Sequence, residues 1–383
     1  MLEPNDKALL PEGLHDTLAN DAEYEAVTVN RLLDSFAAQG YARVEPPLVE
    51  FEESLLSGPG AAQSRHMFRV MDPASQRMMG VRTDITGQVA RIARTRLKNS
   101  PRPLRLSYAG QVLRIKGTML RPERQFVQTG VELIGSDSFQ AYVEVILLAH
   151  DALTSVGVGD LSLDLSLPLL VPAICDGLAI DEETTRIVRE ALNARDVGEL
   201  ENVEGAIGEI ARQLLSAAGR ADKALDILDG LKLPEQARNM CDELAQVVSI
   251  LADVAPGLHV TVDPGEYQGL EFQTGIGFTY FAKGVRGELG RGGRYEANAE
   301  MDQGEAATGF SLYLDSLMRA LPEAPAPETI YVPFGTDLAE LPPLREQGYR
   351  TVQGLEPAND AGAEARRLGC RHLWQNGKIS PLG

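Results

Sequence analysis

The feature that most constrains the fold of this chain is a helix-only block between two β-rich parts. Residues 173–257 contain acidic, alanine-rich stretches such as DEETTRIVREALNARD and PEQARNMCDELAQVVSILADV, which are typical of helices. β texture precedes the block and returns after it in LHVTVDP, LEFQTGIGFTYFA and GELGRGGRYE. This order is typical of an insertion into one domain. It predicts a discontinuous core of residues 1–172 and 258–322, with a helical insertion at 173–257.

The β-rich parts also contain amphipathic helices. Within residues 18–39, apolar residues from Val29 to Phe36 recur at the spacing of one helical face, and Gly40 follows the element. Strands are predicted at 67–71, 78–82, 104–108, 110–115, 125–134 and 161–165. Further helices are predicted at 85–98, 138–156 and 308–321. The fold class indicated is α+β.

A proline-rich tract, LPEAPAPET at residues 321–329, follows the core and is typical of a linker. Beyond it, TIYVPFG, GYRTVQGL and CRHLWQNG are strand-like, and short helical pieces separate them. Residues 328–383 are therefore predicted to form a small C-terminal α/β domain.

Charge is distributed very unevenly along the chain. The formal net charge is −19, yet residues 64–126 contain 14 Lys and Arg against three acidic residues. A long polyanion requires a broad cationic surface, and the acidic remainder would repel it. A small phosphorylated ligand fits a local basic segment better than a nucleic acid does.

Other sequence features exclude several classes of protein. No apolar run approaches the roughly 20 residues that span a bilayer, and MLEPNDKALLPEG contains neither region of an export signal. Cys175, Cys241 and Cys370 are far apart, and the histidines are scattered. We therefore expect reduced thiols in a cytoplasmic protein, with no metal site and no cofactor.

The basic segment contains a candidate anion site. Arg114 lies on a strand-like run that continues into KGTMLRPER and is followed by QFVQTGVELIG. A guanidinium matches two phosphate oxygens at once, so antiparallel strands with an arginine and a basic loop can hold a phosphate. Arg114, Lys116, Arg121 and Arg124 are the predicted site. The alternative is that these cations lie on a solvated face.

A glycine-rich stretch, GELGRGGRYEAN at 287–298, could also suggest a phosphate loop. It lacks the Gly-Lys-Ser/Thr ending, and no parallel strand and helix flank it. Glycines that turn a sheet corner are the preferred interpretation.

Several motifs, in order, resemble one family. GYARVEPPLVE resembles motif 1 of class II aminoacyl-tRNA synthetases, the helix, strand and proline of their dimer interface. SYAGQVLRIKG with RQFVQTGVELIG resembles motif 2 of histidyl-tRNA synthetases, and ATGFSLYLDSLMRAL and GLEFQTG stand at motif 3 and the second histidyl signature. The resemblance covers roughly residues 8–322. It implies an antiparallel sheet flanked by helices, and a homodimer through the motif 1-like helix and strand.

The resemblance also implies that catalytic positions are lost. The arginine that lies on ATP falls at Ser316, a glycine beside the adenine falls at Tyr313, and the arginine of the second signature falls at Gln268. Lys116 stands where motif 2 has an acid. Loss of a preorganised cation from a site where charge develops costs on the order of several kcal/mol of transition-state stabilisation. Adenylate formation by this chain is therefore not expected.

The amino-acid half of the synthetase site is better kept. By the resemblance, Asp84 and Thr86 stand where the family binds the α-ammonium group, and Gln128 and Glu132 stand at positions for the ammonium group and the imidazole. Gln273 replaces the imidazole-facing tyrosine. A carboxylate that faces a cation gains charge-assisted hydrogen bonds, so these five residues are the expected histidine-like pocket. The alternative is that Glu132 only satisfies a strand neighbour.

A synthetase-like core without these arginines, and with a C-terminal part too short for an anticodon-binding domain, resembles the regulatory subunits of ATP phosphoribosyltransferase. The resemblance implies a noncatalytic chain in a hetero-octamer with short-form catalytic subunits. Such a chain is needed for activity and for histidine feedback inhibition at the first step of histidine biosynthesis. Two alternatives stay open: a histidine-activating synthetase-like enzyme, and a tRNA- or RNA-binding synthetase paralogue.

Overall fold

The structure is a computed structural model that describes residues 9–56, 65–267, 272–297 and 304–382. The chain divides into two units. The first runs up to Asp16 and continues from Glu25 to Pro322, and the second comprises Thr17–Tyr24 with the chain from Glu323 onward.

A nine-stranded sheet forms the core of the first unit, and a three-stranded sheet accompanies it. The strands of this unit are β1 Ala42–Arg43, β2 Val49–Phe51, β3 Arg69–Met71, β4 Met78–Val81, β5 Leu104–Leu113, β6 Gln125–Ile134, β7 Leu161–Ser166, β8 Gly219–Arg220, β9 His259–Asp263, β10 Gln273–Ala282, β11 Gly290–Ala297 and β12 Glu305–Tyr313. The large sheet has the order β1-β5-β6-β12-β11-β10-β7-β9-β8, and β2-β4-β3 form the small one. In the large sheet, each strand from β5 to β7 in this order pairs antiparallel with the next. The predicted α+β class with an antiparallel sheet is confirmed.

Helices cover the sheet and form the connection between β7 and β9. They are α1 Ala19–Ala38, α2 Glu52–Leu55, α3 Thr86–Thr95, α4 Phe139–Val156, α5 Leu170–Gly177, α6 Glu182–Ala194, α7 Val197–Glu201, α8 Gly205–Ala217, α9 Ala221–Gly230, α10 Glu235–Val254 and α11 Leu314–Ala320. The bounds of α4 follow from local chemistry: the side chain of Ser138 accepts a hydrogen bond from the Gln140 amide, and Gly157 ends the helix in a left-handed conformation. No helix of the described residues is long and apolar enough to cross a membrane.

The helices α1 and α4 pack on one face of the large sheet. The ring of Phe36 on α1 contacts that of Phe310 on β12, with centroids 5.6 Å apart, and the Tyr280 hydroxyl donates to the Ile146 carbonyl of α4 at 2.9 Å. Successive strand residues point to opposite faces. The residues that alternate with Phe310 therefore lie on the other face, which is available for a site.

The helices α5 to α10 connect two parallel neighbours of the sheet. β7 and β9 pair in parallel, with Ser162 opposite His259. A parallel connection needs a crossover of a dozen or more residues, and this helical block provides it. The short strand β8 interrupts the helices and pairs with β9. The predicted insertion at 173–257 coincides in sequence with these helices, and its status as a separate domain stays a prediction.

Three predictions of local structure are wrong. Residues 308–313, predicted as the first part of a helix, belong to β12, because they hydrogen-bond to β6 on one side and β11 on the other. These ladder contacts outweigh local propensity, and α11 begins only at Leu314. The two strands predicted at 104–108 and 110–115 form one unbroken strand, β5. The prediction of glycines that turn a sheet corner is wrong for Gly290, Gly292 and Gly293, which lie within β11, whereas Gly287 does lie in the turn between β10 and β11, with a φ of +89°.

The second unit contains a four-stranded sheet with short helices. Its elements are β13 Thr329–Val332, α12 Leu341–Glu346, β14 Arg350–Gln353, α13 Ala361–Arg367, β15 His372–Gln375 and β16 Lys378–Pro381. The order is β14-β13-β15-β16, and the first three strands are parallel. Alternate residues of β13 bury against the two faces: Ile330 packs with Leu344, and Tyr331 packs with Ala365. The α/β character expected of this part is confirmed.

Candidate functional site

A cavity of about 670 Å³ lies on the face of the large sheet opposite α1 and α4. This volume is that of a small-molecule site. The predicted residues that line it are Asp84, Thr86, Glu132, Gln273, Arg114, Lys116, Arg121 and Tyr313. A broader depression of about 960 Å³ between α5 and α10 is lined by none of the predicted residues.

A row of glycines is aligned across three strands, and two of them, Gly293 and Gly309, line the floor of the cavity. Gly277 pairs with Gly293, Gly293 with Gly309, and Gly309 with Glu132. Because glycine has no side chain, the space over this row is taken by side chains from the neighbouring strands. A Cβ on Gly309 would lie 2.0 Å from Glu132 Oε2, and a Cβ on Gly277 would lie 2.3 Å from Gln273 Oε1. The side chains of Glu132 and Gln273 therefore lie flat over this floor, one on each side.

Glu132 is a buried carboxyl with two tyrosine donors. It is 1% exposed, and its oxygens accept hydrogen bonds from Tyr108 at 3.3 Å and Tyr295 at 2.9 Å. Burial raises its pKa from 4.5 to about 8; the bond from Tyr295 opposes this rise, and the negative charge of Asp84 adds to it. The carboxyl is thus mainly protonated near neutral pH. A cationic ligand that satisfies its ionised form would recover the cost of desolvation.

Asp84 lies at the start of α3 and is fixed from two sides. Its Oδ1 accepts from the Thr86 amide at 2.8 Å, and its Oδ2 accepts from Gln128 Nε2 at 2.9 Å. Gln128 also donates to Ser311 Oγ at 2.6 Å and accepts from the Ile85 amide at 3.0 Å. Buried and fully bonded, Gln128 orients Asp84 and does not line the cavity, in contrast to the direct ligand contact expected of it.

The side chain of Arg121 lies at the other end of the cavity and occupies part of it. Its guanidinium lies 3.7 Å from the ring centroid of Tyr313 and 4.4 Å from that of Phe126. Two of its nitrogens bond the Asp315 carboxylate at 3.0 and 3.2 Å, and a third lies 3.5 Å from Glu288. We call these five residues the Arg121 clasp. Two carboxylates already pair with Arg121, so its predicted role as an anion-binding cation, which stays a prediction, would require these pairs to open.

The other predicted cations divide into two groups. Arg114 and Lys116 line the cavity, and the Arg114 guanidinium lies 5.0 Å from the centroid of Phe126. Arg124 points elsewhere: it donates to the carbonyls of Arg114 at 3.1 Å and Glu12 at 2.9 Å. Arg124 therefore joins the N-terminal segment to the strand, and it does not line this cavity.

The basic segment is not a basic surface. Besides Arg121, five of its twelve arginines bond acids from other parts of the sequence: Arg69 with Glu52, Arg77 with Glu53, Arg91 with Glu50, Arg102 with Glu305 and Arg105 with Glu144. The acids lie far away along the chain, so charge counting over residues 64–126 could not find them. Folding converts a cluster of positive charge into separate ion pairs.

The three positions expected to have lost catalytic groups have different surroundings. Tyr313 stacks on Arg121 at the cavity wall. Ser316 is fully buried on α11 and accepts from Arg319 Nη2 at 3.1 Å, so it does not line the cavity. Gln268 lies outside the described residues.

Sequence reasoning missed Tyr108, Tyr295, Ser311 and the glycine row. A signal was present in GRGGRYE, where alternate positions share one strand face and so place Gly293 beside Tyr295. Tyr108 and Ser311 become site residues only through their mutual hydroxyl contact of 2.9 Å, which joins β5 to β12.

Comparisons with known proteins agree on one family. A family model described as histidyl-tRNA synthetase matches residues 13–317. An ATP phosphoribosyltransferase regulatory subunit from Rhodospirillum centenum is 53% identical over 375 residues, which cover 98% of this chain and 96% of that protein.

Solved structures show the same fold. An ATP phosphoribosyltransferase regulatory subunit/histidyl-tRNA synthetase from Bacillus halodurans has a TM-score of 0.81 at 24% identity, over 96% of this chain and 97% of that chain. A chain of the ATP phosphoribosyl transferase (HisG:HisZ) complex from Thermotoga maritima has a TM-score of 0.59 at 18% identity, over 76% of this chain and 97% of that chain. The synthetase-like fold class is thereby confirmed.

The buried Glu132 predicts a pH-dependent stability. The unfolded chain ionises this carboxyl near 4.5, whereas the folded chain holds the proton up to about 8. The group's contribution to stability is therefore full below pH 4.5 and is lost as the pH rises toward 8. We expect the Tm of the wild type to fall relative to that of Glu132→Gln between pH 5 and 8, measured by calorimetry. Glu201→Gln, at an exposed position, should follow the wild type. A Tm difference independent of pH would contradict the assignment.

The Arg121 clasp predicts a strong coupling between two charges. Asp315→Asn leaves a buried guanidinium short of a partner and should lower the free energy of unfolding by about 3–5 kcal/mol. The double variant Arg121→Met with Asp315→Asn should lose less than the sum of the single variants, as measured by denaturant unfolding. Breaking the exposed pair Arg186–Glu183 by Glu183→Gln should change the free energy of unfolding far less, because solvent screens this pair. Additive losses at Arg121 and Asp315 would refute the coupling.

Proposed function

This chain belongs to the family of ATP phosphoribosyltransferase regulatory subunits, and from that premise we propose that it is the noncatalytic, histidine-responsive partner of a separate catalytic chain. In this proposal the catalytic chain joins ATP to phosphoribosyl diphosphate at the first step of histidine biosynthesis. The observation that supports the proposal is the lining of the cavity: Glu132 and Asp84 line the end proposed for an amino acid, and at the other end Arg121 is already paired with Asp315.

The amino-acid end supports binding of histidine. Glu132 and Asp84 present carboxyl groups to the cavity, and tyrosine and glutamine side chains hold both of them in place. A carboxyl that faces a cation gains charge-assisted hydrogen bonds. In this proposal the buried Glu132 faces the imidazole, and the partly buried Asp84 faces the ammonium group. These two carboxyl groups thus match an amino acid with a basic side chain.

The other end supports the absence of adenylation. Arg121 lies against two aromatic rings and is bonded to Asp315, so a planar cation of the chain occupies the wall on which a planar base would stack. Efficient adenylation would require free, preorganised cations at the α-phosphate. Arg114 and Lys116 also line this end, and among the described residues neither forms an ion pair with a carboxylate.

The proposed partner is the short-form catalytic subunit of ATP phosphoribosyltransferase, in a cytoplasmic hetero-octamer. Support comes from the regulatory-subunit relatives and from the Thermotoga maritima complex, one chain of which shares this fold. We further propose a homodimer through α1 and β1, the elements that carry the motif 1-like sequence.

The RNA-binding alternative rested on the basic segment alone. Its arginines are divided among ion pairs with acids from β2, α2, α4 and β12. Binding of a polyanion would require displacement of these acids or a second cationic surface. The net charge of −19 favours neither displacement of these acids nor a second cationic surface.

The proposed function predicts a dependence of the catalytic chain on this one. Phosphoribosyl-ATP formation by the matching catalytic subunit should rise when this chain is added, and histidine should inhibit only the mixture. The measurement is an initial rate across a histidine titration, with co-elution on size exclusion as the assembly control. Unchanged rates without co-elution would contradict the proposal. ATP–pyrophosphate exchange with histidine would then test the enzyme alternative.

The amino-acid pocket makes a separate prediction within the assembled complex. Asp84→Asn removes a charge that faces the ligand, and Glu132→Gln removes a carboxyl that can ionise toward a cationic ligand. Each should raise the histidine concentration for half-inhibition by about tenfold or more. Activity without histidine should stay at the wild-type level. Glu201→Gln serves as the control with the same chemical change at an exposed position. Wild-type inhibition curves for both pocket variants would place the regulatory site elsewhere.

A further inference from the structure

Arg82 is a buried arginine that bonds main-chain carbonyls of two separate segments. The residue is 5% exposed. Its Nη1 donates to the Pro46 carbonyl at 2.8 Å, and its Nε donates to the Gln111 carbonyl at 2.7 Å. Pro46 precedes β2, and Gln111 lies on β5. One guanidinium therefore joins the approach to the small sheet with a strand of the large sheet, and these bonds offset the cost of burying its charge.

Gln88 bonds the same pair of prolines. Its Nε2 donates to the Pro47 carbonyl and to Glu50 Oε1, each at 2.8 Å, and its Oε1 accepts from Arg82 Nη1 at 3.4 Å. A proline ring fixes φ, and the residue before a proline is restricted as well. The Pro46–Pro47 backbone is therefore stiff and holds two consecutive carbonyls in fixed directions. We call Arg82, Gln88 and these two carbonyls the proline clamp.

The proline clamp encloses the connection that carries Asp84. Residues 82–88 run from the end of β4 into the first turn of α3, and the clamp holds both ends of this connection. The main chain of Arg82 is fixed as well, because its amide donates to the Leu48 carbonyl at 3.1 Å and its carbonyl accepts from the Leu113 amide at 3.0 Å. Asp84, which lines the cavity, lies only two residues farther on. The place of its carboxylate in the cavity wall therefore depends on the clamp.

Gly110 leaves the space that the Arg82 guanidinium occupies. A Cβ on Gly110 would lie 2.1 Å from Arg82 Nη2. Gly110 lies within the antiparallel ladder of β5, whose extended backbone accepts any L residue. The requirement for glycine at this position is therefore one of space beside Arg82.

We propose that Arg82 is a positioning residue of the amino-acid pocket, which holds the Asp84 carboxylate in place against the ammonium group of the ligand. The inference rests on the proposed histidine-binding function and deepens it by one residue that does not itself line the cavity. A charge-assisted hydrogen bond weakens steeply when its geometry is disturbed. A displaced Asp84 therefore binds the ammonium group less well, and Arg82 acts through Asp84.

Gly110→Ala tests this role by displacing the Arg82 guanidinium, since its removal would leave buried carbonyls without donors. In the full-length chain assembled with its catalytic subunit, this variant should raise the histidine concentration for half-inhibition by about tenfold. Arg82→Lys, which keeps the charge but loses the planar fork, should raise it in the same direction. Gly257→Ala is the matched control, because this exposed glycine has nothing within 4 Å of its Cβ position. Thermal unfolding and co-elution are measured for every variant.

A double-variant cycle distinguishes positioning from a general loss of structure. If Arg82 acts through Asp84, Gly110→Ala should change the half-inhibition concentration by less than about twofold in a chain that already carries Asp84→Asn. An equal increase in both backgrounds would show a merely structural effect and would overturn the inference.

The remaining outcomes separate this inference from the proposed function. Wild-type inhibition curves for both Gly110→Ala and Arg82→Lys would overturn the role of Arg82 and leave the proposed function standing. An increase in Gly257→Ala as large as that in Gly110→Ala would count against Arg82 in the same way. A wild-type chain that gives its catalytic subunit no histidine response would overturn both.

Discussion

The register of four antiparallel strands is the constraint on which the site depends. It aligns Gly277, Gly293 and Gly309 in one row that ends at Glu132. A shift of β12 by one residue would exchange its two faces, and would place Phe310 where Gly309 now underlies a carboxylate. The packing of Phe310 against Phe36 on the opposite face opposes that shift. The helix-covered side of the sheet thus secures the geometry of the open side.

The same sheet also brings together charged residues that are distant in sequence. Arg102 on the segment before β5 bonds Glu305 at the start of β12, and Arg105 on β5 bonds Glu144 on α4. These pairs join elements that are distant in sequence, and partial burial makes them less sensitive to salt than surface pairs. These ion pairs use part of the positive charge of residues 64–126 inside the unit.

Much of the fold could be predicted from the sequence, because periodicity survives where one face is buried. α4 and β6 were placed within a residue or two, and Asp84, Glu132 and Gln273 do line one cavity. The failures have a common cause, since each depended on a partner distant along the chain. Residues 308–313 became a strand through their neighbours on both sides. The pairing of Arg121 with Asp315 was not foreseen for the same reason. The roles of Gln128 and Arg124 likewise follow from contacts that no local pattern records.

The long crossover between β7 and β9 has a consequence for the order in which the chain can acquire its shape. The hairpin of β5 and β6 carries Glu132, but the floor beside it comes from β10 to β12, which are synthesised only after the helices α5 to α10. Until Glu305–Tyr313 arrives, β6 is an unpaired edge of the kind that invites association between chains. Closing such a distant pairing is slow because loop entropy opposes it. The nascent chain therefore leaves the Glu132 side chain in water until β12 docks, and the cavity forms in that late step.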